Sequence, residues 1–314
     1  TTQSITIGFN DPDGDTLVYS MSGMDAALFN LNSVTGELTN LTKPDFENPH
    51  DSNSDGIYDL NVTASDGSLT HSQSINISVL DWFDGTWNKV TAPDKAAEDW
   101  YGRTVSQSGD ILAVGAYLAD PEGLANAGAA YLYRLEANGS ASFLSKVMAP
   151  DKVPGDEFGL GVSLFGNTLA IGATEADPEG VSGAGALYLY RIEANGSVSF
   201  LSKVTAQDKA EEDKFGHSVS QSGDILAVGA WSANQGSLSN AGAAYLFRLE
   251  SNGTASFLTK VTAPDKATED HFGFSVSQSG NILVVGARNA DVSGNSDAGA
   301  AYIFRLESME PPRF

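Results

Sequence analysis

A chain of 314 residues has room for two or three domains, each able to bury its own core. Its 17 Lys and Arg stand against 40 Asp and Glu, a formal charge of −23 that repels phosphate backbones and anionic headgroups, so nucleic acid and bare membrane are excluded as partners. The absence of cysteine excludes disulfides, thiolate metal sites and a cysteine nucleophile, and no apolar run reaches the length of a membrane span.

Residues 1–81 carry alternating runs, ITIGF, TLVYSM, YDLNVTAS and SQSINISVL, separated by turn-rich stretches. Strict alternation predicts strands with one face buried, hence a β-sandwich. The succession DPDGDTLVYSMSG, FNLNSVTGELT, PDFENP, YDLNVTASDGS and ISVLD resembles a bacterial cadherin-like domain of Greek-key topology, lacking its first strand. The resemblance implies calcium held at the ends of the sandwich by Asp11, Asp13, Asp45, Glu47, Asp66 and Asp81. A separate signal is DSNSDG at 51–56, the opening of a D-x-N-x-D-G calcium loop with oxygens on Asp51, Asn53 and Asp55 and a later one on Asp59. The closing glutamate is replaced by Val62, and the same residues also suit a solvated acidic turn.

From residue 82 onward the rhythm changes. KVTAPDK at Lys89 returns as KVMAPDK at Lys146, KVTAQDK at Lys203 and KVTAPDK at Lys260, each 57 residues after the last. A constant step marks one structural unit copied in tandem. Every copy carries a Phe/Tyr-Gly run (WYGRTVSQSG in the first), then an apolar run (DILAVGA), a variable loop and a third run (GAAYLYRLE), and the first three add, after Asn-Gly, a fourth (ASFLSKV). Short runs rich in β-branched and aromatic residues and bounded by glycine predict a four-stranded antiparallel sheet per copy. Asn138-Gly139, Asn195-Gly196 and Asn252-Gly253 suit two-residue hairpin turns with positive φ at both positions, and each also begins a glycosylation sequon.

This order of motifs resembles the FG-GAP repeat family, which builds β-propellers such as the integrin α-subunit head. The resemblance covers roughly residues 86–307 and implies an all-β chain: the sandwich at 1–81, a propeller of four blades at 82–308, and at 309–314 a linker or the start of another cadherin-like domain. The loops between the second and third strands lack the D-x-D-x-D-G pattern of calcium-binding blades. GTWNKVTA, upstream of the first copy, aligns with a fourth strand that the last copy lacks. It is therefore expected to close a small ring, the alternatives being completion by another chain or an open stack.

No G-x-S-x-G elbow, H-E-x-x-H zinc motif or P-loop occurs, and His50, His71, His217 and His271 share no motif. The pairs Glu98-Asp99, Glu212-Asp213 and Glu269-Asp270 recur beside the Phe/Tyr-Gly element, which favours a solvated loop or metal ligands over a glycosidase pair. Trp100, Tyr117 and Trp231 stand where the copies diverge and are candidates to stack on a ligand, or to pack on a neighbouring blade. A chain that opens at Thr1 reads as part of a longer polypeptide. The expected function is a non-catalytic structural and adhesive module at the cell surface, calcium its cofactor and a surface protein or glycan its partner. Self-association is expected through its tail pairing with the sandwich edge of a neighbour to form a filament. The alternatives are a carbohydrate-binding module and, more remotely, a fragment of a polysaccharide-degrading enzyme.

Overall fold

The computed structural model describes residues 4–41, 49–78, 87–136 and 138–306. Asp45, Glu47, Asp81 and the tail 309–314 lie outside the described residues. The chain divides into two compact units, Thr1–Trp87 and Asn88–Phe314. Among the described residues no helix is long and apolar enough to cross a membrane.

The first unit holds β1 (Ser4–Thr6), β2 (Val18–Ser22), β3 (Phe29–Leu31), β4 (Glu37–Asn40), β5 (Ile57–Ser65) and β6 (Thr70–Ser78). They form two three-stranded antiparallel sheets, β1-β4-β3 and β2-β5-β6. Alternation along β5 sends Tyr58, Leu60, Val62 and Ala64 inward, as its sequence pattern requires. Tyr58 and Leu60 meet Phe29 and Leu38 of the other sheet, so the two sheets enclose one core.

In the second unit the first blade is β7 (Val105–Ser108), β8 (Ile111–Ala116), β9 (Ala129–Leu135) and β10 (Ala141–Val147). The second is β11 (Phe158–Phe165), β12 (Thr168–Ala173), β13 (Ala186–Ile192) and β14 (Val198–Val204). The third is β15 (Phe215–Ser222), β16 (Ile225–Ala230), β17 (Ala243–Leu249) and β18 (Ala255–Val261). The fourth has β19 (Phe272–Ser279), β20 (Ile282–Ala287) and β21 (Ala300–Arg305) and no fourth strand among the described residues. Each blade is an antiparallel meander, as the repeat predicts.

The constant residues of the repeat are those that dock one blade on the next. Ala170, Leu187 and Leu189 on one face of the second blade pack against Phe215, Leu226, Val228 and Tyr245 of the third. The glycine of each of the first three V/I-G-A runs lies under the glycine of the following Phe-Gly: a Cβ on Gly229 would stand 2.0 Å from the Gly273 carbonyl oxygen. Nothing larger than glycine permits that approach. The serines of S-V-S-Q-S bridge neighbouring inner strands, with Leu164 N donating to Ser106 Oγ (2.8 Å), Gln221 N to Ser163 Oγ (3.0 Å) and Gln278 N to Ser220 Oγ (2.9 Å).

The K-V-T-A-P-D-K segment is a clasp between blades. Asp94 accepts from Tyr131 Oη (2.8 Å) and Lys146 Nζ (2.6 Å), and Asp208 in the same way from Tyr245 (2.9 Å) and Lys260 (2.7 Å). Lys260 also lies over the Tyr245 ring, 5.2 Å from its centre.

Three expectations are revised. The Asn-Gly turns use positive φ only at the glycine (Gly139 at 76°, Gly196 at 82°), while Asn195 Oδ1 accepts Ser197 N and its hydroxyl. Gly196 N donates to Glu193 O and Glu193 N to Ser197 O, so the turn carries one extra residue. Residues 87–92 form no strand and do not complete the last blade; Val90 and Ala92 pack on the first. The aspartates of the Glu-Asp pairs are not solvated: Asp99, Asp213 and Asp270, with Asp156 in the second copy, are buried, and each accepts a backbone N–H three residues back.

Candidate functional site

Three positions of the repeat differ in every copy, and the structure brings them to one end of the inner strands. The residue after Phe/Tyr-Gly reads Arg103, Leu160, His217 and Phe274, and all four line one cavity of about 330 Å³ between the four blades. The residue before Phe/Tyr-Gly reads Trp100, Glu157, Lys214 and His271. Each takes a left-handed backbone (φ 50°, 58°, 58° and 56°) that non-glycine residues avoid and that tertiary structure must hold in place. The residue after V/I-G-A reads Tyr117, Thr174, Trp231 and Arg288.

These side chains interlock in two clusters. In the first blade Trp100 packs edge-on against Tyr117 at 5.7 Å. Burial raises the Tyr117 pKa, as does the charge of Glu157, while its hydrogen bond with Arg103 acts in the opposite direction. In the third and fourth blades Trp231 meets His271 at 4.7 Å and His217 at 6.0 Å, and His217 lies 4.7 Å from Phe274. The Arg288 guanidinium covers Phe274 at 4.2 Å and Trp231 at 5.9 Å. Burial, then the charges of Arg103 and Arg288, push the His217 pKa down to about 4, so the ring is neutral at physiological pH. Burial and Arg288 also lower His271, against the pull of Glu269, whose Oε2 lies 3.2 Å from Nε2.

Between the clusters lie charged residues of the second and third blades. Lys214 pairs with Glu175 and Glu212, and Thr174 Oγ1 donates to Glu157 (3.3 Å). Burial, reinforced by the Glu175 charge, raises the Glu157 pKa. The surface thus joins two arginines, a lysine, imidazoles and aromatic rings, a set suited to planar or polar ligands. The structure therefore gathers Trp100 with Tyr117 and adds His217, His271, Phe274 and Arg288 around Trp231. The signal for these added residues was their position in the 57-residue register, not any motif among the histidines.

In the sandwich the predicted calcium residues fall at two places. Asp11 and Asp66 line a common cavity with Asn10 and His71. One oxygen of each is engaged by its own turn: Asp11 Oδ1 by Asp13 N (2.8 Å), Asp66 Oδ1 by Ser68 N and Leu69 N (2.6 Å each). These backbone donors hold the Asp66 carboxyl below its usual range. The 51–56 loop is likewise closed on itself, with Asp51 accepting Asp55 N (2.8 Å) and Gly56 N (3.3 Å) and Asn53 Nδ2 donating to Asp55 (2.8 Å). Asp59 contributes its backbone N–H to Asp25, a buried carboxylate that also takes Ser52 N (2.7 Å each) and ties the loop to the sandwich. Asp25 carries no motif, and sequence reading missed it. Among the described residues no three His, Asp or Glu side chains gather to hold a metal ion, so those carboxylates alone do not fit the six or more oxygens that calcium takes.

No curated protein matches the chain. Among solved structures, a protein from Lactobacillus plantarum has a TM-score of 0.40 and 14% identity, the match covering 81% of this chain and 62% of that one. This chain thus spans less than two thirds of that protein. Human protocadherin-24 EC1-2 has a TM-score of 0.22 and 14% identity, covering 82% of this chain and 84% of that one. The FG-GAP repeat model matches residues 86–133, 142–190, 198–247 and 256–304, the last three segments running from the fourth strand of one blade into the third strand of the next. FG-GAP repeats are typically non-enzymatic. With four matched copies over most of its length, the chain belongs to the FG-GAP repeat family.

Proposed function

We propose that the chain is a non-catalytic extracellular adhesion module whose blades present a variable surface to a protein at a cell surface. The observation that carries this reading is the division of labour within the repeat. Residues that dock blades are constant, while three positions at one end of the inner strands differ copy by copy, and the one before each Phe/Tyr-Gly pair is held in strained left-handed backbone. Such an arrangement invests stability in a fixed scaffold and leaves one end free to specify a partner. In this reading the sandwich is a spacer.

The exposed Trp100 supports a second reading, a carbohydrate-binding module, because an exposed indole stacks on sugar rings. An array of immobilised matrix proteins and glycans, probed with the labelled full chain with and without chelator, separates the two. Capture on protein spots supports adhesion; chelator-resistant capture on glycan spots supports the lectin reading. No capture on either contradicts both.

A further inference from the structure

The three blade-to-blade contacts within the chain are copies of one another, and the fourth blade carries the same docking face with none of the described residues on it. Leu132, Leu189 and Leu246 occupy one repeat position on the face that meets the next blade and are 0%, 0% and 1% exposed; their counterpart Ile303 is 74% exposed. The rest of the face follows suit. Ala130, Leu187 and Ala244 are buried while Ala301 is exposed, and a Cβ on Gly286, unlike one on Gly115, Gly172 or Gly229, would meet no backbone of another blade. Ser277 and Ser279, equivalent to the bridging serines of earlier blades, are exposed, and among the described residues no fourth strand pairs with β21. Asp265 is held by Tyr302 (2.8 Å) but, among the described residues, lacks the lysine that completes the other clasps.

Each missing part is present at the other end of the second unit. Lys89 stands in the repeat position of Lys146, Lys203 and Lys260, is exposed and makes no ion pair among the described residues. Tyr101-Gly102 is the first Phe/Tyr-Gly pair, and Gln107 N and Gly109 N are the counterparts of the donors that reach the serines of a preceding blade. Val105 is 63% exposed, whereas its counterpart Val162, covered by a preceding blade, is 8% exposed.

We infer that the face of the fourth blade is an interface for a second copy of this chain, docked head-to-tail. The partner copy supplies its 87–90 segment as the missing strand, Lys89 for Asp265 and Tyr302, and Gly102 beneath Gly286. The contact continues an interface the chain already makes three times, and because its two halves differ it generates a closed ring or a growing chain of copies. It is independent of the adhesion reading and involves neither the tail nor the sandwich edge.

Sedimentation equilibrium of the full chain over a wide concentration range tests it. Dimers or larger species are expected, and Ile303→Asp and Val105→Asp should each return the chain to monomer. Both side chains are exposed within one chain, so unchanged melting temperatures confirm that the variants fold. An equimolar mixture of the two variants should form dimers and nothing larger, since each retains one intact half of the interface. Zero-length cross-linking of isotope-mixed copies should join Lys89 to Asp265 between chains. A wild type that stays monomeric, including one whose Lys89–Asp265 cross-link is confined to a single chain, overturns the inference. Association that survives both substitutions does the same.

Discussion

At the scale of single residues, the molecule relies on aspartates whose roles depend on which donors reach them. Burial acts to raise the Asp94, Asp151 and Asp208 carboxyls, but the lysine and tyrosine of each clasp outweigh it and hold them below the usual value. A lowered folded-state pKa contributes stability above the unfolded value, and that contribution is lost as pH falls below about 4. Melting followed downward from neutral pH should therefore show an acid-induced loss in the second unit, and Asp208→Asn should flatten it. Tyr245→Phe leaves the ring in place and removes one donor, with an expected cost of about 1 kcal/mol in denaturant unfolding. At the variable end, the His217 ring should titrate near pH 4 by NMR, rising toward the ordinary value in the Arg103→Gln, Arg288→Gln double variant. The sequence exposed the aspartates as a repeating pattern but not their burial, because Glu98-Asp99 reads as a polar turn until the backbone N–H three residues back is seen to cap it.

At the scale of elements, strand order and pairing were legible, because glycine punctuation and β-branched runs recur with a fixed step. Less legible was what the glycines and serines do, since their partners lie about one repeat away in the chain. Gly229→Ala drives a methyl group into the Gly273 carbonyl of the next blade, with an expected loss of about 3 kcal/mol. Ser163→Ala strands the Gln221 N–H at a buried contact and should cost about 1–3 kcal/mol, while Ser277→Ala, on the uncovered face, should cost little in the isolated chain. Equilibrium unfolding of the three variants checks the ordering. The Asn-Gly turns show how local rules can name the turn residue correctly and the turn geometry wrongly: the asparagine side chain, by accepting Ser197 N, settles a backbone that propensity alone leaves open.

At the scale of the whole molecule, the two compact units have separate cores, so they should melt as separate transitions. The all-β class and the repeat were written in the sequence as periodicity. The variable surface was only half visible there, as three aromatic residues, because its other members are ordinary residues whose convergence requires the blades to be set around a common cavity. The central claim is that this convergent end is where the partner binds. The measurement that tests it most directly is capture of the full chain on the matrix-protein array, compared with that of the Trp231→Ala, Arg288→Ala double variant. The account predicts capture by the wild type and at least a tenfold loss in a variant that still folds; equal capture by the two chains would contradict it.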